Sequence, residues 1–429
     1  MIHLAAKGSF LRLLGSAIVS QAVLSGASLL VGLILIRRQS DAQYGYYVLV
    51  SVTLLLLIGL QTAFIQPSMV VRLARLDEQG RRELIGGLFR EQRRILVLAG
   101  AASAILVGLL WFAGLLSEAL ALFVFASILA AMAALFRDFF RMVLLAYRRP
   151  FEVVACDLIY VVLLVPGAYL ATFSPLPAAT AVLTLALSAA VGGTLLCRAM
   201  WRHEPWNIDG AQSVLREFAP LGAWSVSGAA VHWTFSQGYT YLVAAMLDVQ
   251  AVAAIAATRL LLMPVNLLST GISQMMLPTA ARWLHLHGVA PLYRRLLYFC
   301  VGVSVVALCY CAFMWVIRDW VFTNVLKKQF ANRDTLLLLW SLIFLFMMLR
   351  DQLAHLLVVR GRMHLLTMTT FVSAALALTA SFLAIRRFEV PGALIGVLIG
   401  EIVNVMGIVF FTNIESRRPA PDSGAASPS

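Results

Sequence analysis

A-T-R-L-L-L-M-P-V-N-L-L-S-T-G-I-S-Q-M-M-L-P, residues Ala257 to Pro278, decides what kind of chain this is. It is an apolar run long enough for a membrane span, with one charge, Arg259, set inside it. A charge at that depth costs from about 2.5 to more than 10 kcal/mol, so it survives only where it faces protein, water or a ligand. Pro264, five residues on, removes a backbone donor and predicts a kink or break there. Pro278 marks the far edge of the span. The segment therefore reads as a bent helix that aims a guanidinium into a cavity, and a guanidinium forks onto phosphate through paired hydrogen bonds. The competing reading is a side chain that snorkels to the outer interface or neutralises a helix end. Arg259 sits about nine residues, roughly 13 Å of helix, inside the apolar span that begins at Val249, which is long for a snorkel.

Working outward, the whole chain is 61% hydrophobic and 12% charged, with mean hydropathy +0.89 over 429 residues. Such values exclude a soluble domain and predict an all-α, multi-spanning membrane protein. The net charge is +13, and 30 of the 33 basic residues are Arg. They cluster in short stretches between apolar runs, so membrane topology accounts for them better than nucleic acid, and no nucleic-acid partner is expected. The five cysteines lie in or beside apolar segments and show neither disulfide nor metal spacing, so no metal is expected. No nucleotide loop or nucleophile triad appears, and no cofactor is expected.

Twelve apolar segments follow one another. The first six are Leu13 to Ile36, Tyr46 to Val71, Ile95 to Leu116, Ala119 to Phe136, Phe151 to Thr172 and Ala178 to Cys197. The second six are Leu221 to Leu247, Val249 to Ala281, Leu296 to Ile317, Thr335 to Val359, Met363 to Ile385 and Val390 to Ile414. The first run, about 24 residues, is too long for a signal-peptide core and is read as a retained span. The expected organisation is an amino-terminal lobe over 1–200, a cytoplasmic connection over 201–220, a carboxy-terminal lobe over 221–414 and a disordered tail over 415–429. Two six-helix lobes of this kind would face each other across a central cleft. Arg72 to Arg94 reads as a basic loop in which L-I-G-G-L-F-R-E-Q-R-R (84–94) forms a surface amphipathic helix, and Arg137 to Pro150 reads as a helix running into the interface. With the amino terminus inside, the cytoplasmic stretches hold 23 Lys and Arg against 8 outside, which predicts both termini in the cytoplasm. Trp111, Trp201, Trp206, Trp283, Trp315, Trp320 and Trp340 fall near expected interfaces, whereas Trp224 and Trp233 lie within span seven.

Polar residues inside spans are the functional candidates. Ser225, His232, Ser236 and Tyr239 share one face of span seven, with Gln237 and Tyr241 nearby. That face either lines a polar path for a substrate or serves as interhelical polar glue, with His232 as a packing residue or a proton relay. Arg350 and Asp351 adjoin in span ten and point about 100° apart, so each is expected to meet a partner on another span. Glu401 in span twelve pairs with Arg350 or Arg259, or else titrates and couples transport to protons or sodium. Asp157 in span five meets Arg141 or Arg149. Pro264 and Pro67 are the hinge candidates, and Gln21, Ser25, Gln61 and Gln66 are the polar groups of spans one and two.

The opening K-G-S-F-L-R-L-L-G-S-A-I-V-S-Q (7–21) and L-I-R-R-Q-S-D-A-Q-Y-G-Y-Y-V-L (35–49) resemble the start of polysaccharide and oligosaccharide flippases. These belong to the multidrug/oligosaccharidyl-lipid/polysaccharide exporter superfamily. The run A-T-R-L-L-L-M-P, with Leu277 and Pro278 following, is similar to the matching helix of bacterial lipid-linked cell-wall precursor flippases. In motif the resemblance covers residues 7–75 and 245–283; in topology it covers nearly the whole chain. It implies two lobes alternating between inward- and outward-open states. It also implies a polyprenyl-pyrophosphate-linked oligosaccharide as substrate, Arg259 lining the cavity, and residence in a bacterial inner membrane. Membrane lipids and the polysaccharide polymerase and chain-length machinery are the partners it suggests. Cell-wall precursor flippases carry arginines in their first two spans, where this chain has glutamine and serine, which favours a glycan-repeat-unit flippase. Arg259 and Arg350 would then bind phosphate or acidic sugar. A cation-coupled multidrug exporter of the same superfamily would want carboxylates early in the first lobe. A membrane polymerase or ligase would want a larger external loop than Arg318 to Asp334.

Overall fold

A computed structural model describes residues 2–206 and 213–417, apart from the side chains of 2–18, Gln274, Met275, Pro278 and Arg417. The basic side chains Lys7 and Arg12, the middle of the expected connection (207–212) and the tail from 418 onward lie outside the described residues. The helices in order are α1 (Ile2–Arg38), α2 (Asp41–Leu73), α3 (Glu78–Phe112), α4 (Glu118–Ala146), α5 (Pro150–Ala171), α6 (Pro177–His203) and α7 (Val214–Met246). Then come α8 (Val249–Leu261), α9 (Met263–His287), α10 (Val289–Val316), the short α11 (Arg318–Trp320) leading into a π-helical turn (Val321–Leu326), α12 (Arg333–Val359), α13 (Met363–Phe388) and α14 (Val390–Arg417). No strand occurs among the described residues.

Ten of these helices are long and apolar enough to cross a membrane, and α8 with the first part of α9 adds an eleventh if that bent pair is one span. The difference from twelve is α7. It has 33 residues, ample length for a span, but its serines, His232, Gln237 and tyrosines make it too polar to pass on composition. Such polarity in a helix of this length needs protein or water beside it.

The chain divides into two compact units, Met1–Ala230 and Val231–Ser429, with the dividing point inside α7. In the first unit, the stretch expected as a surface amphipathic helix is helical, and its apolar face lies against protein. It forms the opening turns of α3, capped by Asp77 at Gly80 N, and buries Leu84, Ile85 and Leu88 completely against Phe139, Phe140 and Met69. An apolar helix face is removed from water as well by protein as by lipid, and here protein takes it. Trp206 belongs to this core, edge-on to Phe89 and Trp201 and tilted against Phe140, rather than to an interface belt. Helix α4 runs without interruption to Ala146, so Arg137, Asp138 and Arg141 sit on its wall. The start of α7 is held by Glu91, whose carboxylate accepts from Val214 N at 3.0 Å and Leu215 N at 2.8 Å, filling the orphan donors of a helix start.

In the second unit α13 and α14 pack closely because α14 carries Gly392, Gly396 and Gly400 one turn apart. A Cβ at the first two would collide with the α13 backbone at Ala384 and Ser381, and one at Gly400 with Ala377. Small residues at this spacing let two membrane helices approach to backbone contact. The close approach fixes the height of Glu401, the next residue.

Candidate functional site

The helix break sits at Leu262, two residues before Pro264, and α8 and α9 meet there at 57°. Pro264 occupies the first turn of α9, where its missing N–H is no loss. The break frees backbone groups that a membrane interior cannot hydrate. Val265 N turns to Leu262 O at 3.0 Å, and Leu261 O, left behind, accepts from the Tyr310 hydroxyl at 2.9 Å. Trp340 Nε1 donates to Ile255 O, six residues earlier, at 3.2 Å. Pro67, the other hinge candidate, sits inside an unbroken α2.

Arg259 lies in the last turn of α8, three residues before the break. Its Nη1 donates to Gln237 Oε1 at 2.9 Å and to the Tyr239 hydroxyl at 3.2 Å. The guanidinium carbon stands 5.2 Å from the centre of the Trp340 ring. Trp340, expected at an interface, is 3% exposed and packs between Tyr239 and Phe344. Every partner of Arg259 is neutral, and among the described residues no carboxylate pairs with it. Its charge is held in place but not cancelled.

Arg350 is the opposite case. Its Nη1 reaches both oxygens of Glu401 at 2.8 Å, and its Nε and Nη2 reach Asp351 Oδ1 at 3.1 and 3.0 Å. The expectation that neighbouring Arg350 and Asp351 could not meet is wrong. The 100° offset describes where the Cβ atoms start, and a flexible guanidinium bridges it where an ammonium on a shorter reach would not. Asp351 also accepts from Ser269 of α9 at 3.2 Å, and the buried Phe235 ring lies 5.6 Å from the guanidinium carbon. Of the two partners open to Glu401, the arginine it meets is Arg350. One arginine between two carboxylates leaves this cluster formally one negative charge in excess.

Helix α7 links the two arginines, since Phe235 touches one and Gln237 and Tyr239 the other. His232 is exposed and within electrostatic reach of Arg350 and Asp351. Ser236 is turned onto its own helix, donating to Trp233 O at 3.3 Å.

In the first unit Asp157 is completely buried and accepts from Ser20 at 2.6 Å and Arg141 at 3.3 Å, and it pairs with Arg137. Arg149 goes instead to Glu152 at 2.9 Å. Asp138 accepts from Thr62 at 3.0 Å, and Arg137 lies 3.9 Å over the Tyr160 ring. Arg137 and Asp138 were expected on a helix running into the interface; the apolar flanks of F-R-D-F-F-R-M-V-L-L were the signal that this helix is the continuing α4. Gln21 is exposed, with only a 3.5 Å contact to Ser25. Among the described residues no group of three or more metal-ligating side chains occurs.

No family model and no curated protein matches the chain. Solved structures do. An inward-facing multidrug resistance MATE family transporter of the MOP superfamily superposes with TM-score 0.73 at 13% identity, over 91% of this chain and 94% of that one. An outward-facing transporter of the same family gives TM-score 0.65 at 12% identity, over 95% of each chain. A eukaryotic MATE transporter gives 0.63 at 14% identity, over 95% and 99%. The fold is therefore MATE-like, an all-α membrane protein with two lobes.

Proposed function

We propose that this chain is an alternating-access transporter of an anionic, lipid-linked substrate, and that the substrate is a polyprenyl-pyrophosphate oligosaccharide flipped across a bacterial inner membrane. The observation that carries the reading is Arg259, a membrane-embedded guanidinium with a neutral cradle and no carboxylate among the described residues. An uncancelled charge in a span favours an anion as its partner, and the planar fork favours phosphate. The known folds of this kind include inward- and outward-facing transporters, which supports alternating access. A ligand drives such a cycle only through unequal affinity for the two states.

Arg350 has a different part in this reading. Already bound to Glu401 and Asp351, it acts as a latch rather than as a substrate ligand. Protons or sodium ions competing for the two carboxylates couple the cycle to an ion gradient by loosening that latch.

The same cluster supports a second reading. Its excess carboxylate would accept a lipophilic organic cation, as a multidrug exporter requires. Purified protein in vesicles separates the two. Arg259→Ala should lower the transfer of lipid-linked oligosaccharide by about tenfold or more, the loss of one charge-assisted hydrogen-bonding group. Arg259→Lys should keep part of the activity. Unchanged glycan transfer in Arg259→Ala, together with lipophilic-cation export abolished in Glu401→Gln, would replace the first reading by the second.

A further inference from the structure

Helix α13 satisfies its hydroxyls in two ways. Thr367, Thr369 and Thr370 turn theirs back onto carbonyls of the same helix, and Ser381 donates to Ala393 O of α14 at 2.9 Å. Ser373 does neither. It is completely buried, and its Oγ has no partner among the described residues. Asn404 of α14 is 1% exposed, and neither its Oδ1 nor its Nδ2 has a partner among the described residues.

Helix register brings these two residues together. A Cβ at Gly400 would lie 3.0 Å from Ser373 O, and one at Gly407 would lie 2.9 Å from Thr369 Cγ2. Asn404 follows Gly400 by four residues and precedes Gly407 by three, so it shares their side of α14 and faces the α13 turn from Thr369 to Ser373. Glu401, three residues before Asn404, is its neighbour on the same helix and holds Arg350. An amide oxygen, an amide nitrogen and a hydroxyl thus stand unpaired at one level of a membrane-embedded interface, where each is costly.

This set of atoms selects its occupant. A hydrocarbon chain pairs with none of them. A cation would meet the two oxygens and leave the amide's two N–H donors unpaired. An anion would meet the donors but face Asn404 Oδ1 and the nearby Glu401, whose cluster already carries a carboxylate in excess. The occupant must be small and neutral, and must both donate and accept. Water does all of this, and a closed site is no obstacle to it, because internal waters sit among buried polar groups with about three hydrogen bonds each. We infer that a water molecule is held between α13 and α14, bridging the Ser373 hydroxyl and the Asn404 amide beside Glu401. It gives Glu401 a local donor when Arg350 leaves it. That last step rests on Arg350 acting as a latch; the site itself rests only on α13 and α14.

Hydroxyl-radical footprinting by X-ray radiolysis of the full chain in lipid nanodiscs tests it, because radicals formed from a bound water oxidise the side chains around it even where bulk solvent is excluded. Phe235, which approaches Gly400, and Ile408, one turn past Asn404, are each 2% exposed and flank the site. Both should be oxidised in the wild type, while the fully buried Leu394, farther along α14, should not. Asn404→Leu should abolish that oxidation. Ser373→Ala removes one oxygen and adds no bulk. It should lower Tm by about 2 °C, because the water loses a partner; a dry interface would instead be relieved of an unpaired hydroxyl, and Tm would rise. A rise in Tm, or wild-type oxidation of Phe235 and Ile408 no greater than that of Leu394, would overturn the site. Oxidation that disappears when choline in the buffer is replaced by sodium would put a cation there instead and overturn it too. The wild-type footprint carries the test if the variants fail to fold. None of these readouts uses transport, so the site is judged apart from the latch.

Discussion

Two arginines embedded in spans meet opposite fates, and the contrast carries the functional argument. Arg350 is cancelled by Glu401 and Asp351, while Arg259 is held by an amide, a phenol and an indole ring. A buried ion pair contributes little net stability, but removing one partner strands the other and costs about 3–5 kcal/mol. Arg350→Ala should therefore destabilise the purified protein by about that amount, and adding Glu401→Gln should recover at least ~1 kcal/mol of it. Thermal unfolding of the two single variants and the double variant measures this coupling. Strict additivity would show that the 2.8 Å contacts do not persist in the membrane. Arg259→Ala should behave differently, losing substrate handling with little loss of stability, because no opposite charge is stranded.

At the scale of the element, the break between α8 and α9 is what sets Arg259 in position. Proline explains why the helix cannot continue smoothly, but proline alone does not hold a 57° bend. The bend is held from outside, by Tyr310 on Leu261 O and by Trp340 on Ile255 O. Tyr310→Phe deletes one hydroxyl and nothing else. It should cost about 1–3 kcal/mol, because Leu261 O is buried in a span with no water to replace the donor. Hydrogen exchange should accelerate around 259–265 and remain unchanged in α13 and α14. Unaltered exchange at the break would mean that the backbone there needs no outside partner. The glycine run of α14 acts at the same scale, since Gly392, Gly396 and Gly400 bring α14 against α13 and so present Glu401 to Arg350.

For the whole molecule, the basic residues make a prediction that geometry does not. With 23 Lys and Arg on one set of connections and 8 on the other, both ends should face the cytoplasm. Reporter fusions after Ile414 and within 318–334 should report opposite sides; a periplasmic signal after Ile414 would sink this orientation. The sequence by itself determined the class of protein, nearly all the helices, the presence of a break near Pro264 and the oddity of Arg259. Each of these depends on local composition: runs of apolar residues, a missing N–H, a charge where none belongs. Partnership was decided only by tertiary structure. Glu401 had two arginines open to it, Asp351 was judged unable to reach its neighbour, Trp340 read as a belt residue, and α3 read as a membrane-surface helix. In each case the outcome turns on which helices lie side by side and how far a flexible side chain reaches. Periodicity along one helix carries no information about the face of another, so only the packed bundle could cancel one arginine and leave the other charged.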